Sequence, residues 1–283
     1  MVMSSPHKPR LDRFSFVTIA ITVIALLFIG SAIAAILISG VAHIGEAISS
    51  PEVHFSLWMS LSTSTLSTLI CLALAIPTAY ALTRTALPCK RAIEVLMELT
   101  LSLPYLLLGF ALLLIFSSPF GKFLKEAGFA VVFEPAGIVF AQLIVNLPFA
   151  IRMIRTAFLD VDSRYEFVAG ALGARRFTTF RTILLPLCRN SIVSASVLTW
   201  ARGMGEFGAT LMLVGVTRMK TETLAGNIYL SISTGNNETA MATALIILLL
   251  SAFTLVITSI FNKQHRSRYE HQTKGKQGVA TRG

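Results

Sequence analysis

The feature that most constrains this chain is a set of six apolar stretches, each long enough to cross a lipid bilayer. A helix that crosses the ~30 Å hydrocarbon core needs about 20 mostly apolar residues, because no backbone polar group can be left unpaired there. Charged residues make up 13% of the chain, whereas soluble domains carry about 25%. The sequence therefore predicts an all-α integral membrane protein with six transmembrane helices. The predicted spans are Phe14–Ile38, Leu57–Leu82, Ile93–Phe116, Gly137–Ile154, Leu187–Gly215 and Thr239–Phe261.

Basic residues are distributed unevenly between the loops on the two sides of the membrane. Lys and Arg are retained on the cytoplasmic side during insertion. With both termini in the cytoplasm, nineteen of the 24 Lys and Arg residues lie on that side and four lie outside. We therefore predict a multi-pass protein of the cell (inner) membrane with both termini cytoplasmic. The basic residues form short tracts between apolar runs, so the net charge of +10 does not indicate a nucleic-acid partner, which needs a basic soluble face.

The predicted spans divide the chain into three regions. Residues 1–55 are expected to hold the cytoplasmic N-terminus, an extra first transmembrane helix and an external loop. Residues 56–261 form a core of five helices, interrupted by a long cytoplasmic loop at 152–186. Residues 262–283 are polar and rich in Lys, Arg and Gln, and have too little apolar surface to fold alone. We predict that this last region is a disordered basic cytoplasmic tail.

The sequence contains no constellation of residues that indicates catalysis. Cys71, Cys89 and Cys188 are not spaced for a metal site, and we interpret them as free thiols. The five His residues lie in loops and tails and form no cluster with carboxylates at membrane depth. No G-x-x-x-x-G-K-[ST] phosphate-binding motif is present. We therefore predict a protein that is not an enzyme and has no cofactor, and that receives energy through contact with another subunit.

The cytoplasmic loop at 152–186 is much longer than the 2–8 residues or so that suffice to connect antiparallel helices. Apolar residues recur at helical spacing over 158–172, and small residues cluster at 169–174. Gly173 can adopt a positive φ and end a helix, after which an apolar stripe resumes toward Pro186. We interpret the loop as a short helix followed by a turn at which another protein approaches the backbone. The alternative is a basic surface loop without a partner.

This loop resembles that of ABC-importer permeases, whose pattern is E-A-A, three residues, Gly, nine residues and then I-x-L-P. Gly173 is followed by nine residues and then by I-L-L-P at 183–186, so the second half of the pattern matches completely. The first half departs, because Phe167 occupies the glutamate position and Glu166 comes one residue early. The resemblance implies a coupling helix seated in a groove of a cytoplasmic ATPase subunit. The residues assigned to this loop are Glu166, Ala169, Leu172, Gly173, Ala174, Phe177, Ile183, Leu185 and Pro186.

Two charged residues, Arg202 and Glu206, lie near the middle of the fifth predicted span. They are four residues apart and are predicted to share one helical face. A charge at the bilayer centre costs roughly 2.5–3.5 kcal/mol on insertion scales and usually faces a bundle interior or a wet pathway. We predict a gate or pathway role. The alternative is that they pair with each other, or with neighbouring helices, and only lock the bundle. The candidate pathway residues are Arg202, Gly205, Glu206, Phe207, Gly208 and Thr210.

A second resemblance starts from the same span. Its sequence G-E-F-G-A-T-L-M-L-V-G is similar to the corresponding span of molybdate and tungstate importer permeases, and more loosely to that of sulfate permeases. Similar stretches are L-P-Y-L-L-L-G-F at 103–110, N-L-P-F-A-I-R at 146–152 and T-R-M-K-T-E-T-L at 217–224. The likeness covers about residues 56–261. The stretch at 217–224 is expected outside the membrane, where a solute-binding protein would dock.

Together the resemblances imply the type I ABC-importer permease fold and a subunit that translocates an oxyanion by alternating access. Molybdate or tungstate is the expected cargo, with sulfate or thiosulfate as the alternative. The expected partners are cytoplasmic ABC ATPase subunits, an external solute-binding protein and a second copy of the chain in a homodimer. A carrier driven by an ion gradient is the rival class. It should show inverted repeats and several intramembrane carboxylates, whereas Glu206 is the main acidic candidate at membrane depth.

Overall fold

The computed structural model describes the backbone of residues 13–280 and the side chains through 258, and every element in that part of the chain is a helix. The α-helices are α1 (Arg13–Ser49), α2 (Pro51–Arg84), α3 (Lys90–Ser102), α4 (Tyr105–Ser117), α5 (Pro119–Glu126), α6 (Pro135–Leu159), α7 (Arg164–Ala171), α8 (Arg176–Thr179), α9 (Leu185–Met204), α10 (Gly208–Val214), α11 (Leu224–Ser233) and α12 (Asn237–Ala280). A single π-helical segment, Phe180–Leu184, joins α8 to α9.

Five helical segments in the described part of the chain are long and apolar enough to cross a membrane. They are α1, α2, α6, the run Arg176–Met204 and the part of α12 over Asn237–Thr258. A sixth span is obtained when α3 and α4 are taken together, although their axes differ by 111°. Counted in this way, the predicted all-α fold with six transmembrane helices is confirmed.

Three prolines fall in predicted spans, and only Pro104 breaks its helix. Leu103 is extended, with φ −74° and ψ 144°, and Pro104 then stands before the first residue of α4. A proline disfavours helical backbone in the residue before it and has no N–H to donate. Helices α2 and α6 continue through Pro77 and Pro148. The third predicted span is therefore two helices at a sharp angle, with the bend at Pro104.

The fifth predicted span is also broken, which corrects the expectation of one continuous helix over Leu187–Gly215. Helix α9 ends at Met204 and α10 begins at Gly208. The three linking residues include Gly205, and Gly203 and Gly208 stand on either side, so the helical conformation is weakly favoured here. Arg202 and Glu206 therefore do not share one helical face, because the helix ends between them.

The centre of the bundle is formed by α2, α6 and α9, which pack against one another. Gln142 of α6 is buried at their junction. Its Oε1 accepts a hydrogen bond of 2.8 Å from Ser67 Oγ on α2, and its Nε2 donates one of 3.0 Å to the carbonyl oxygen of Gly203 on α9. A buried amide that bonds to both neighbours fixes their relative register, because leaving its polar atoms unpaired would be costly.

Helix α1 packs mainly along α12 at the edge of this bundle. The helices approach closely at Gly40, where a β-carbon would lie 2.7 Å from Cβ of Leu245. The backbone of α12 continues as helix to Ala280, through most of the region 262–283 for which disorder is predicted. Lys, Arg and Gln in this region are helix-forming residues. Side chains after residue 258 lie outside the described part of the chain, and disorder of the tail stays a prediction.

Candidate functional site

The loop at 152–186 contains a short helix that ends in a glycine-based cap. Helix α7 spans Arg164–Ala171 and is followed by Gly173 with φ +84°. The amide of Gly173 donates to the carbonyl of Gly170 (3.0 Å), and the amide of Ala174 donates to that of Ala169 (3.0 Å). These two bonds form a Schellman motif, which requires a left-handed residue after the helix. The glycine turn thus lies where the sequence predicts it, but the helix before it is shorter than the apolar spacing over 158–172 suggested, because Phe158 belongs to α6 and α7 begins at Arg164.

The surface of this loop is unusually apolar for a segment outside the spans. Leu172 is 84% exposed and Phe167 is 78% exposed, and Phe177 beyond the turn is 71% exposed. Tyr165 and Val168 are also exposed. No atom lies within 4 Å of the position that a β-carbon on Gly173 would take. An exposed group of large apolar side chains around open backbone is typical of a surface that another protein covers.

Glu166 contacts a residue that the sequence did not point to. Nε of Arg84, the last residue of α2, lies 2.6 Å from Oε1 of Glu166. The same guanidinium donates from Nη2 to the carbonyls of Phe158 (2.9 Å) and Val161 (3.0 Å). Arg84 therefore fixes both the end of α6 and the start of α7 to α2. The sequence signal that could have indicated Arg84 is its position just after a predicted span, at the end predicted to be cytoplasmic, like the loop that contains Glu166.

A cavity of about 260 Å³ opens beside this ion pair. It lies between the end of α2 and the two short helices of the loop. The lining residues are Tyr80, Arg84, Glu166, Gly170, Ala174, Arg176 and Thr179.

The second half of the matched pattern attaches the loop to the bundle. Phe180 packs edge-on against Tyr80 of α2, with ring centroids 4.9 Å apart. Leu184 is fully buried, and Ile183 and Leu185 are partly buried. Pro186 lies in the first turn of α9, directly after the π-helical segment Phe180–Leu184. Residues 183–185 therefore serve packing, whereas Pro186 is exposed and Leu172, Gly173 and Phe177 face outward.

Glu206 caps the second half of the broken fifth span. It is 4% exposed. Its carboxylate accepts hydrogen bonds from the amides of Ala209 (2.8 Å) and Thr210 (3.1 Å) and from the Thr210 hydroxyl. A negative charge at the start of α10 is favourable because the helix presents unpaired N–H groups there. The carboxylate thus stabilises the start of α10 and, with it, the interruption between α9 and α10.

Arg202 is turned toward other helices. Its Nη2 donates to the hydroxyl of Tyr105 on α4 (2.6 Å), and its Nε donates to Oδ1 of Asn146 on α6 (3.3 Å). Its central carbon lies 4.5 Å from the ring centroid of Phe149. Among the described side chains Arg202 and Glu206 make no ion pair. Tyr105 and Asn146 were not assigned a role from the sequence, although both lie in stretches that carry the second resemblance.

The remaining candidate pathway residues surround the break. Phe207 contacts Tyr229 of α11, with ring centroids 5.3 Å apart. Gly208 lies against the first turn of α4, since a β-carbon there would be 3.3 Å from the amide nitrogen of Leu106. Gly205 is exposed, with open space beside it. The structure therefore brings the break, the start of α4 and Arg202 together.

The stretch at 217–224 has a buried carboxylate of its own. Glu222 is fully buried and accepts hydrogen bonds from the amide of Met219 (3.1 Å) and from Nδ2 of Asn227 (2.9 Å). Lys220 Nζ lies 2.8 Å from Oε1 of Glu134, in the turn before α6. These contacts hold the segment in one conformation and leave Arg218 exposed.

Comparisons with known proteins identify transport-system permeases as relatives of this chain. Residues 75–267 match the family described as binding-protein-dependent transport system inner membrane component. The chain is 36% identical over 211 residues to the molybdenum transport system permease protein ModB of Mycobacterium tuberculosis, covering 74% of this chain and 80% of that protein. It is 31% identical over 262 residues to the probable transport system permease protein NifC of Clostridium pasteurianum, covering 88% and 91%. It is 35% identical over 175 residues to the molybdate/tungstate transport system permease protein WtpB of Thermococcus kodakarensis, covering 62% and 66%.

Solved structures share the helical arrangement. A chain of a bacterial alginate ABC transporter, in complex with a periplasmic protein bound to an alginate pentasaccharide, matches with a TM-score of 0.73 at 16% identity, covering 90% of this chain and 95% of that one. A chain of the MetNI methionine ABC transporter in an inward-facing conformation matches with a TM-score of 0.56 at 17% identity, covering 75% and 99%. At these identities the likeness concerns the fold alone.

Proposed function

Since the chain belongs to the family of binding-protein-dependent transport system inner membrane components, we propose that it is the permease subunit of an ATP-driven importer for an oxyanion, with molybdate or tungstate as the cargo. Its fold is that of type I ABC-importer permeases, and the resemblance stated from the sequence is confirmed. The proposed partners are two cytoplasmic ABC ATPase subunits, an external solute-binding protein and a second copy of this chain.

The observation that carries the proposal is the exposed apolar surface around the Gly173 turn. Leu172, Phe167 and Phe177 leave large apolar areas uncovered, which favours a protein partner over water. In this proposal α7 sits in a groove of the ATPase subunit, with Gly173 allowing close backbone approach. The ion pair between Arg84 and Glu166 then makes α2 follow any movement of α7.

The cargo is proposed from the relatives and from the charge of the pathway. Two of the three relatives compared above carry names that refer to molybdenum or to molybdate and tungstate. An exposed carboxylate would repel an oxyanion, whereas that of Glu206 is almost fully buried against the amides of α10. Sulfate or thiosulfate is the second candidate, because the G-E-F-G sequence is also common in sulfate permeases.

The orientation proposed for the chain places both termini and α7 in the cytoplasm. It is supported by the excess of Lys and Arg in the segments on that side. The same orientation puts α5 and the stretch at 217–224 outside, where the solute-binding protein would dock. In the homodimer, each copy offers one α7 to one ATPase subunit, so that closure of the two ATPases drives alternating access.

The proposal is tested with the reconstituted complex. The permease is combined in proteoliposomes with its proposed ATPase and solute-binding protein partners, and ATP hydrolysis and anion uptake are measured together. Binding protein loaded with molybdate or tungstate should stimulate hydrolysis and uptake. Stimulation by sulfate alone would transfer the assignment to the second candidate. Absence of stimulation by any of the three anions would reject the proposed function.

A further inference from the structure

Arg202 carries a positive charge at membrane depth that the rest of the described chain does not neutralise. Its two hydrogen-bond acceptors, the Tyr105 hydroxyl and Oδ1 of Asn146, are both neutral. Among the described side chains no Asp or Glu forms an ion pair with it. Glu206, the other charged residue of the span, makes no ion pair with Arg202, and its carboxylate accepts hydrogen bonds from the backbone of α10. The guanidinium is therefore an uncompensated cation, which would be stabilised by a bound anion.

The surroundings hold this guanidinium in place without cancelling its charge. The rings of Phe149 and Tyr105 lie with their centroids 4.5 Å and 5.9 Å from its central carbon. Such cation–π contacts contribute only about 0.5–2 kcal/mol, less than a charge-assisted bond to an oxyanion. A guanidinium has five N–H donors, and two of them have acceptors among the described residues. The guanidinium is thus held in place while three of its N–H donors have no acceptor among the described residues.

The position of Arg202 indicates that it faces water. Its side chain is half-buried within the single chain, and a charge exposed to hydrocarbon is strongly unfavourable. It lies beside the non-helical backbone between α9 and α10, where Gly205 is exposed with open space next to it. Irregular backbone at membrane depth is tolerated where it is covered by protein or lines a wet cavity. Both facts favour a place on the translocation pathway.

We propose that Arg202 and the hydroxyl of Tyr105 form a weak transient binding site for the tetrahedral oxyanion inside the permease, an inference that rests on the proposed function. The planar guanidinium can give two parallel N–H bonds to two anion oxygens. The Tyr105 oxygen accepts from Arg202, so its own O–H proton is free to donate to a third. Asn146 acts as a positioning residue that orients Nε. A site with so few donors releases its anion readily, as a pathway requires.

The experiment compares variants in the complete reconstituted complex, with molybdate-loaded binding protein as the probe and the number of anions moved per ATP hydrolysed as the readout. The variants are Arg202→Gln, Arg202→Lys and Tyr105→Phe. Arg91→Gln, an exposed arginine of α3, is the control. Arg202→Gln should lower anions moved per ATP by about tenfold or more, the size expected for losing a charged hydrogen bond. Arg202→Lys should retain part of the transport, and Arg91→Gln should match the wild type.

The outcomes separate this inference from the proposed function. A wild-type complex without anion-stimulated hydrolysis would reject the function itself. A wild-type complex that transports, together with unchanged anions per ATP in Arg202→Gln, would overturn the pathway site alone. If the Arg202→Gln complex does not assemble, the Arg202→Lys and Tyr105→Phe variants are used to test the pathway site. Fewer anions moved per ATP in either assembled variant supports the site, and wild-type values in both overturn it.

Discussion

At the scale of single residues, Gly173 has a backbone that other residues adopt only with strain. Its φ is +84°, and no atom lies within 4 Å of a β-carbon built on it. A side chain there costs roughly 1–2 kcal/mol of strain and fills the space proposed for the ATPase. We expect Gly173→Trp to abolish ATP hydrolysis stimulated by the loaded binding protein. The measurement is the ATPase rate of the reconstituted complex with and without molybdate.

Gly128 supplies the matched control for that prediction. Its φ is +89°, its β-carbon position is equally open, and it lies after α5 on the side predicted to be external. Gly128→Trp therefore introduces the same type of backbone strain away from the ATPase. Binding of the ATPase subunit to the purified permease, measured without the solute-binding protein, should persist in Gly128→Trp and be lost in Gly173→Trp. Persistence in both variants would contradict docking at the glycine turn.

The Arg84–Glu166 pair gives a second prediction at this scale. Both side chains are mostly buried and 2.6 Å apart, and Arg84 also bonds to two carbonyls at the end of α6. Arg84→Gln should therefore weaken ATPase binding more than Glu166→Gln. A double-mutant cycle on ATPase affinity should give a coupling energy of about 1–2 kcal/mol, within the range for directly contacting residues. Strictly additive effects would mean that the ion pair does not position α7.

At the scale of secondary-structure elements, the break between α9 and α10 depends on the Glu206 carboxylate. Glu206→Ala leaves the buried amides of Ala209 and Thr210 without their side-chain acceptor. Each unsatisfied buried donor costs about 1–3 kcal/mol, so the purified permease should unfold at a clearly lower temperature. Thr210→Val removes only the hydroxyl bond and should cause a smaller decrease. Equal melting temperatures for wild type and Glu206→Ala would show that α10 does not need this cap.

The membrane-spanning segments were predictable from the sequence, because the length of an apolar stretch determines whether it can cross a bilayer. The breaks were predicted less well. The three prolines look alike in the sequence, yet only Pro104 ends a helix. Helices α2 and α6 continue through Pro77 and Pro148, because residues on both sides of each proline are packed in the core. The interruption after Met204 depends on a side chain turning back to cap the next helix, and spacing alone does not indicate this. Arg84, Tyr105 and Asn146 were missed for a related reason, since their roles arise from contacts between distant segments.

At the scale of the whole molecule, the two candidate sites are connected by packed contacts. Glu166 in the loop binds Arg84 at the end of α2. Farther along α2, Ser67 bonds to Gln142, which bonds in turn to the carbonyl of Gly203, the neighbour of Arg202. A movement of α7 that shifts α2 would therefore strain polar bonds next to the break. This contiguous set of contacts is the physical route by which we expect the two candidate sites to be coupled.

The orientation of the whole molecule can be tested with its own cysteines. Cys89 is exposed in the loop before α3, which is predicted to be cytoplasmic, whereas Cys71 and Cys188 are buried. Thiol reagents react with accessible thiols, so a membrane-impermeant maleimide should label the native permease in inside-out vesicles and not in right-side-out vesicles. Lys122→Cys, placed in α5 in a Cys89→Ser background, should give the reverse pattern. Labelling of Cys89 from the outside would invert the topology and place α7 on the side without ATP, contradicting both the predicted orientation and the proposed coupling.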